Sequence, residues 1–126
     1  MTNLFFSVIS ILHILACIWI WIGTANYLLV DREDKPPTWI YHPENGINEA
    51  QEGDASSHTI YITSLYWVVT TLTTVGYGDQ KGYTSTEYIF TYIVEFMGIL
   101  LFAIILSSTE EILNDDSNSE TGDIVE

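Results

Sequence analysis

Residues 73–79 read Thr73-Thr74-Val75-Gly76-Tyr77-Gly78-Asp79. Two glycines separated by one residue let the backbone adopt dihedrals that other residues resist. Successive carbonyls can then point to one side, which neither a regular strand nor a helix permits. A row of peptide oxygens is a set of hard, neutral ligands of the kind that replaces the water shell of an alkali cation. Thr74 can add its hydroxyl at the inner end, while Val75 and Tyr77 are expected to turn away and pack against surrounding helices. One chain supplies one strip of oxygens, so a closed ring requires several copies around an axis.

The flanking sequence places this strip in a membrane. Leu4 to Val30 is 27 residues without a charge, about 40 Å as a helix and long enough to span with tilt. No Lys or Arg precedes it, and it is about twice the length of a signal-peptide core. Tyr88 to Leu106 is a second apolar run of 19 residues, interrupted only by Glu95. Between them, Thr59 to Thr73 is a shorter, Thr-rich apolar stretch. At about 22 Å it is too short to cross, and it suggests a re-entrant helix buried in protein or lining a water-filled cavity.

Charge is segregated from these runs. The chain has 126 residues and a net charge of −14, with three Lys plus Arg against 17 Asp plus Glu. Such a balance excludes a nucleic-acid partner, which needs clustered cations. The single cysteine, Cys17, excludes an internal disulfide and a multi-cysteine zinc cage. Asp31 to His58 is acidic and carries Pro36, Pro37 and Pro43, the composition of an exposed loop. The last residues contain Glu110, Glu111, Asp115 and Asp116 and no basic residue. They are expected to be a solvated end, and four copies would enrich cations at a pore mouth at low salt. His13, His42 and His58 show no ligand or triad spacing, and His13 is expected to pack between helices. Trp19, Trp21 and Tyr27 are expected to face lipid or sit in an aromatic belt. Glu95 is costly in a spanning helix, about 2.5–3.5 kcal/mol, and is therefore a candidate functional acid. Its expected partner is a pore-helix hydroxyl, Thr70 or Thr71.

The string Thr73–Asp79 resembles the selectivity signature of potassium channels, and the order of segments resembles their pore. His13-Ile14-Leu15-Ala16-Cys17-Ile18-Trp19 with Ile22-Gly23 looks like the outer pore helix of the ether-à-go-go and cyclic-nucleotide-gated superfamily, and the plant inward rectifiers are similar. The resemblance implies an all-α membrane protein: two transmembrane helices (4–30 and 84–113) flank a turret loop (31–58), a re-entrant pore helix (59–73) and a filter (74–79). An acidic, disordered tail (114–126) follows, and the pore is a tetramer.

By resemblance, K+ sites fall at Thr74, Val75, Gly76 and Tyr77, with Gly78 and Asp79 at the outer mouth. Tyr66, Trp67 and Thr70 support the filter, and Tyr66 is expected to hydrogen-bond Asp79. Phe90, Gly98 and Ala103 fall where that superfamily's inner helix has an aromatic, a hinge glycine and a small residue, and Phe102 and Leu106 resemble pore-lining positions. The implied partners are K+ as permeant ion, the lipid bilayer of a plasma membrane and three further channel subunits. No other cofactor and no enzyme chemistry is expected.

All three basic residues, Arg32, Lys35 and Lys81, lie between the two spans, which taken alone would orient that loop to the cytoplasm. The conflict leads to the expectation that this is a fragment of a longer voltage-gated-like channel, whose other segments set topology. The alternative is a non-conducting pore-only subunit that co-assembles with full-length channels.

Overall fold

The computed structural model describes residues 2–29, 37–45, 47 and 56–123. Helix α1 spans Thr2–Leu28. A short turn of 3₁₀ helix, Pro43–Asn45, follows in the connecting segment. Helix α2 spans Ser57–Leu72 and α3 spans Ser85–Asp123. Among the described residues there is no strand. Most of the turret, including Glu49, Glu52 and Asp54, lies outside the described residues.

Among the described residues, two helices are long and apolar enough to cross a membrane, over Phe5–Leu28 and Ser85–Glu110. Most of their large apolar side chains are exposed, among them Phe6, Trp21, Phe96, Leu100 and Phe102. α2 has 16 residues, about 24 Å, and so falls short of a bilayer's hydrocarbon core. It begins at Ser56, whose side chain accepts the His58 N–H, the expected N-cap chemistry. Helix α3 does not stop at residue 113: it runs without a break to Asp123. The sequence explains this, since no Gly or Pro lies between Gly98 and Gly122.

The core is a stack of aromatic rings contributed by every segment. Trp19 (α1) lies 3.9 Å from Trp67 (α2), 5.4 Å from Trp39 and 5.8 Å from Phe90 (α3), centroid to centroid and near parallel. Trp39 Nε1 donates to the Trp19 carbonyl at 2.9 Å. Trp19 is therefore the buried centre of the fold and not a lipid-facing ring, because three elements converge on its face of α1. Trp21, two residues on, is 68% exposed. Tyr27 stacks on Tyr41 at 3.8 Å. α1 and α2 are further joined by Ser64 Oγ donating to the Ala16 carbonyl at 2.9 Å, and by a 2.8 Å hydrogen bond between His13 Nδ1 and Tyr61 Oη. His13 thus ties two helices together.

α3 approaches the end of α2 closely. A Cβ at Gly98 would lie 2.7 Å from the Leu72 carbonyl oxygen and 3.1 Å from its Cα. Here glycine sets the contact distance between the two helices.

Candidate functional site: the strip after helix α2

α2 ends at Thr73, whose N–H donates to Val69 O at 3.0 Å. The chain then reverses onto the helix end: Thr70 O accepts both Val75 N at 3.0 Å and Gly76 N at 3.1 Å. Beyond that reversal, positive φ recurs at every second residue: Thr74 at 60°, Gly76 at 53° and Gly78 at 76°. An alternation of left- and right-handed residues gathers successive amides on one side and successive oxygens on the other. The conformation costs nothing unusual at glycine but about 1–2 kcal/mol at Thr74, where Cβ crowds the carbonyl. Among the described residues, no hydrogen bond ends on the carbonyl oxygens of 74–77. The strip is neither helix nor strand, and its oxygens are free.

Val75 and Tyr77 differ from their sequence expectation. Their side chains are 51% and 71% exposed, so helices of this same chain do not cover them. Asp79 closes the strip. Its Oδ2 accepts Tyr66 Oη at 2.9 Å, from one face of α2, and its Oδ1 accepts Gln80 N at 3.0 Å. Trp67 is buried in the aromatic stack, and Thr70 Oγ1 donates to Trp67 O at 3.0 Å.

Glu95 is expected to pair with a pore-helix hydroxyl, Thr70 or Thr71. No hydrogen bond joins Glu95 to Thr70 or Thr71; the Thr70 hydroxyl satisfies its own helix instead. Glu95 is exposed and lines a groove of about 420 Å³ with Thr71, Thr74, Gly76 and Gly78. Phe102 and Leu106 are also exposed on α3, and Phe102 borders an apolar cavity of about 280 Å³ with Leu72, Thr73 and Gly98. The side chains of Glu111, Asp115 and Asp116 lie outside the described residues.

Two residues that the sequence reading passed over hold the strip's outer end. Glu87 is fully buried, and among the described residues no ion pair reaches it. Its Oε1 accepts Trp39 N at 3.1 Å, and its Oε2 accepts Tyr83 N at 2.8 Å and Thr84 N at 3.1 Å. Thr84 Oγ1 in return accepts Glu87 N at 3.3 Å, which is a capping box at the start of α3. Thr-x-x-Glu at 84–87 was the available signal. Thr84 Oγ1 also accepts Asn26 Nδ2 at 3.2 Å, which brings α1 to the same point. The second residue is Asn45, likewise buried. Its Nδ2 donates to Trp39 O at 2.7 Å and to Lys81 O at 3.1 Å.

Around these, an outer layer is polar and solvated. Lys81 Nζ lies 3.1 Å from Glu44 Oε2, and the ring of His42 stacks on Tyr83 at 3.5 Å. Hydrogen bonds from Lys81 and Tyr83 hold the Glu44 carboxyl below its ordinary value. Burial, with the Glu44 carboxylate nearby, pushes the Tyr83 hydroxyl up to about 12.

Comparison with known proteins agrees with this architecture. Residues 1–112 match the family described as ion transport protein. The rat voltage-gated delayed rectifier potassium channel KCNH1 is 34% identical over 113 residues, covering 79% of this chain and 12% of that protein. The Caenorhabditis elegans potassium voltage-gated channel unc-103 is 32% identical, over 82% of this chain and 13% of its own length. Rice (Oryza sativa subsp. japonica) potassium channel KAT1 is 37% identical over 87 residues, 68% of this chain and 11% of that protein. The chain thus spans about an eighth of the length of these relatives. With two apolar spanning helices, a short helix between them and a matched family covering most of its length, it is a membrane protein that belongs to the ion transport protein family.

Proposed function

We propose that this chain forms the pore of a potassium-selective channel in the plasma membrane, as a tetramer, and that residues 74–78 are its filter. The observation that carries the reading is the alternation of positive φ at Thr74, Gly76 and Gly78 beside carbonyl oxygens that accept no hydrogen bond. A free peptide oxygen held away from amides is stable only if something else satisfies it. Water does so in a single exposed chain. In a ring of four, dehydrated K+ takes that place, with sites at the oxygens of Thr74, Val75, Gly76 and Tyr77 and with Gly78 and Asp79 at the mouth.

Exposure supports assembly. Val75 and Tyr77 lack cover within the chain, and α3 presents Phe96, Ile99, Phe102 and Leu106 outward. Neighbouring copies and lipid are the occupants that such a surface requires. The C-terminal, partially negative end of α2 stops at the inner end of the strip, where it favours a cation. The names of the relatives, all potassium channels, point to the same ion.

The test is the reversal potential in mixed K+ and Na+ after reconstituting the 126-residue chain. A value close to the K+ equilibrium potential is expected. Equal permeation of the two ions, or no flux from a membrane-inserted assembly, overturns the reading. Within it, Glu95 acts from the groove it lines with Thr74, Gly76 and Gly78, and Glu95→Gln is expected to alter gating of the current.

A further inference from the structure

Asn45 occupies an unusual position for an amide side chain. It is 5% exposed, on a single turn of 3₁₀ helix, and nearly every polar atom it owns is used. Nδ2 spends both hydrogens, on Trp39 O and on Lys81 O. Oδ1 accepts Tyr83 Oη at 3.3 Å, and its main-chain oxygen accepts Gln80 Nε2 at 2.9 Å. Three of the four residues that follow Asp79 are therefore bonded to this one residue of the turret. The strip's outer end has two moorings. One runs inward, from Asp79 to Tyr66 on α2. The other runs outward, from residues 80, 81 and 83 to Asn45.

We infer that Asn45 is a positioning residue for the ion pathway: by fixing residues 80–83 to the turret, it sets the height and spacing of the oxygens at the strip's outer end. The inference deepens the pore reading and rests on it. The physical reason is stiffness. Oxygens that discriminate ions by their spacing must be held by something that does not relax, and the strip itself is exposed and forms no ladder. Several hydrogen bonds converging on one buried residue restrain a loop more stiffly than solvated contacts do, and Asn45 is that residue for 80, 81 and 83. The Lys81–Glu44 pair is solvent-exposed and cannot serve that role.

The experiment compares the wild-type chain with Asn45→Asp, Gln80→Ala and Glu44→Gln. Asn45→Asp keeps the shape and the acceptor for Tyr83, but turns an oxygen toward the carbonyls of Trp39 and Lys81. Three quantities are read: yield of assembled protein, K+ over Na+ permeability ratio, and the difference in thermal midpoint between K+ and Na+ solutions. The last reports ion occupancy without requiring conduction. Asn45→Asp is expected to assemble while its permeability ratio falls about tenfold, the size set by losing one or two buried hydrogen bonds, and while its K+-dependent midpoint shift shrinks. Gln80→Ala, which loses only one of the bonds, is expected to move both in the same direction by less. Glu44→Gln is expected to match wild type.

Wild-type ratio and midpoint shift in Asn45→Asp overturn the inference and leave the pore reading standing. If Asn45→Asp fails to assemble, Gln80→Ala decides: an unchanged ratio and midpoint shift overturn the inference. A wild-type chain with neither K+-selective flux nor a K+-dependent midpoint overturns the pore reading itself, and the inference falls with it.

Discussion

Residues 74–78 and the collar that Glu87 and Asn45 form with Trp39, Lys81, Tyr83 and Thr84 treat their backbone polar groups in opposite ways. In the collar, three amides converge on one buried carboxylate, and the amide of Asn45 is divided between two carbonyls. In the strip, oxygens are left unmatched and the backbone is held in conformations that a threonine resists. The contrast teaches where specificity is built. On the proposed pore reading, the collar supplies rigidity and the strip supplies ligands. Substitutions on the two sides should accordingly fail in different ways.

The largest effect is expected in the collar. Glu87→Ala leaves the buried amide of Trp39 without an acceptor, at about 1–3 kcal/mol, strips the acceptor from the half-buried amides of Tyr83 and Thr84, and removes the capping box as well. The assembled protein should be lost, or its thermal midpoint should fall by ten degrees or more. A midpoint within two degrees of wild type would show that the collar is not what holds the loop. Gly98→Ala comes next. The added Cβ meets the Leu72 backbone, which cannot move aside as a side chain tip could. The helices must separate, at a cost of about 1–3 kcal/mol from overpacking, with reduced midpoint and reduced current together.

On the strip the signature is different. Gly78→Ala places a Cβ at φ 76°, where nothing lies within 4 Å, so the cost is backbone strain alone, about 1–2 kcal/mol. The midpoint in Na+ should hardly change, while the K+-dependent part of it and the permeability ratio should collapse. Equal losses in both salts would mean that strip and collar are one structural unit, and the contrast drawn above would be wrong.

Much of the architecture was legible in the sequence because the bilayer imposes lengths. Two apolar runs and a short one between them read as two spans and a re-entrant helix. The glycine spacing likewise located the strip, since positive φ at alternate positions is a local demand. What escaped was everything that depends on distant partners. Glu87 sits just outside the apolar run of α3 and looks like an ordinary first-turn acid. Nothing local says that Trp39, 48 residues away, will donate to it. Trp19 reads as a belt residue until three other rings are seen to cover it. A costly acid such as Glu95 invites a hydroxyl partner, but threonine in a helix also satisfies its own backbone, as Thr70 does.

The smallest expected effect lies in the solvated layer outside the collar, and pH reads it. Glu44 is held below its ordinary 4.5 by Lys81 and Tyr83, so the stability it lends is present above that value and is lost as pH falls through the depressed one. Tyr83 is shifted the other way, so its contribution is full below 10.0 and is lost as pH rises through about 12. Between those limits the midpoint should be flat with respect to these two groups. Tyr83→Phe should remove the alkaline fall and weaken the acid one, because it takes a donor from Glu44 and Asn45 together. The ring of Phe can still stack on His42, which separates the hydroxyl's part from the ring's. The change should be a few degrees, well short of Glu87→Ala, since the contact to Glu44 is exposed and screened by solvent and only the one to Asn45 is half-buried. If Tyr83→Phe lowers the midpoint as much as Glu87→Ala does, the outer layer belongs to the collar, and the division between rigid support and solvated rim has been drawn one residue too far inward.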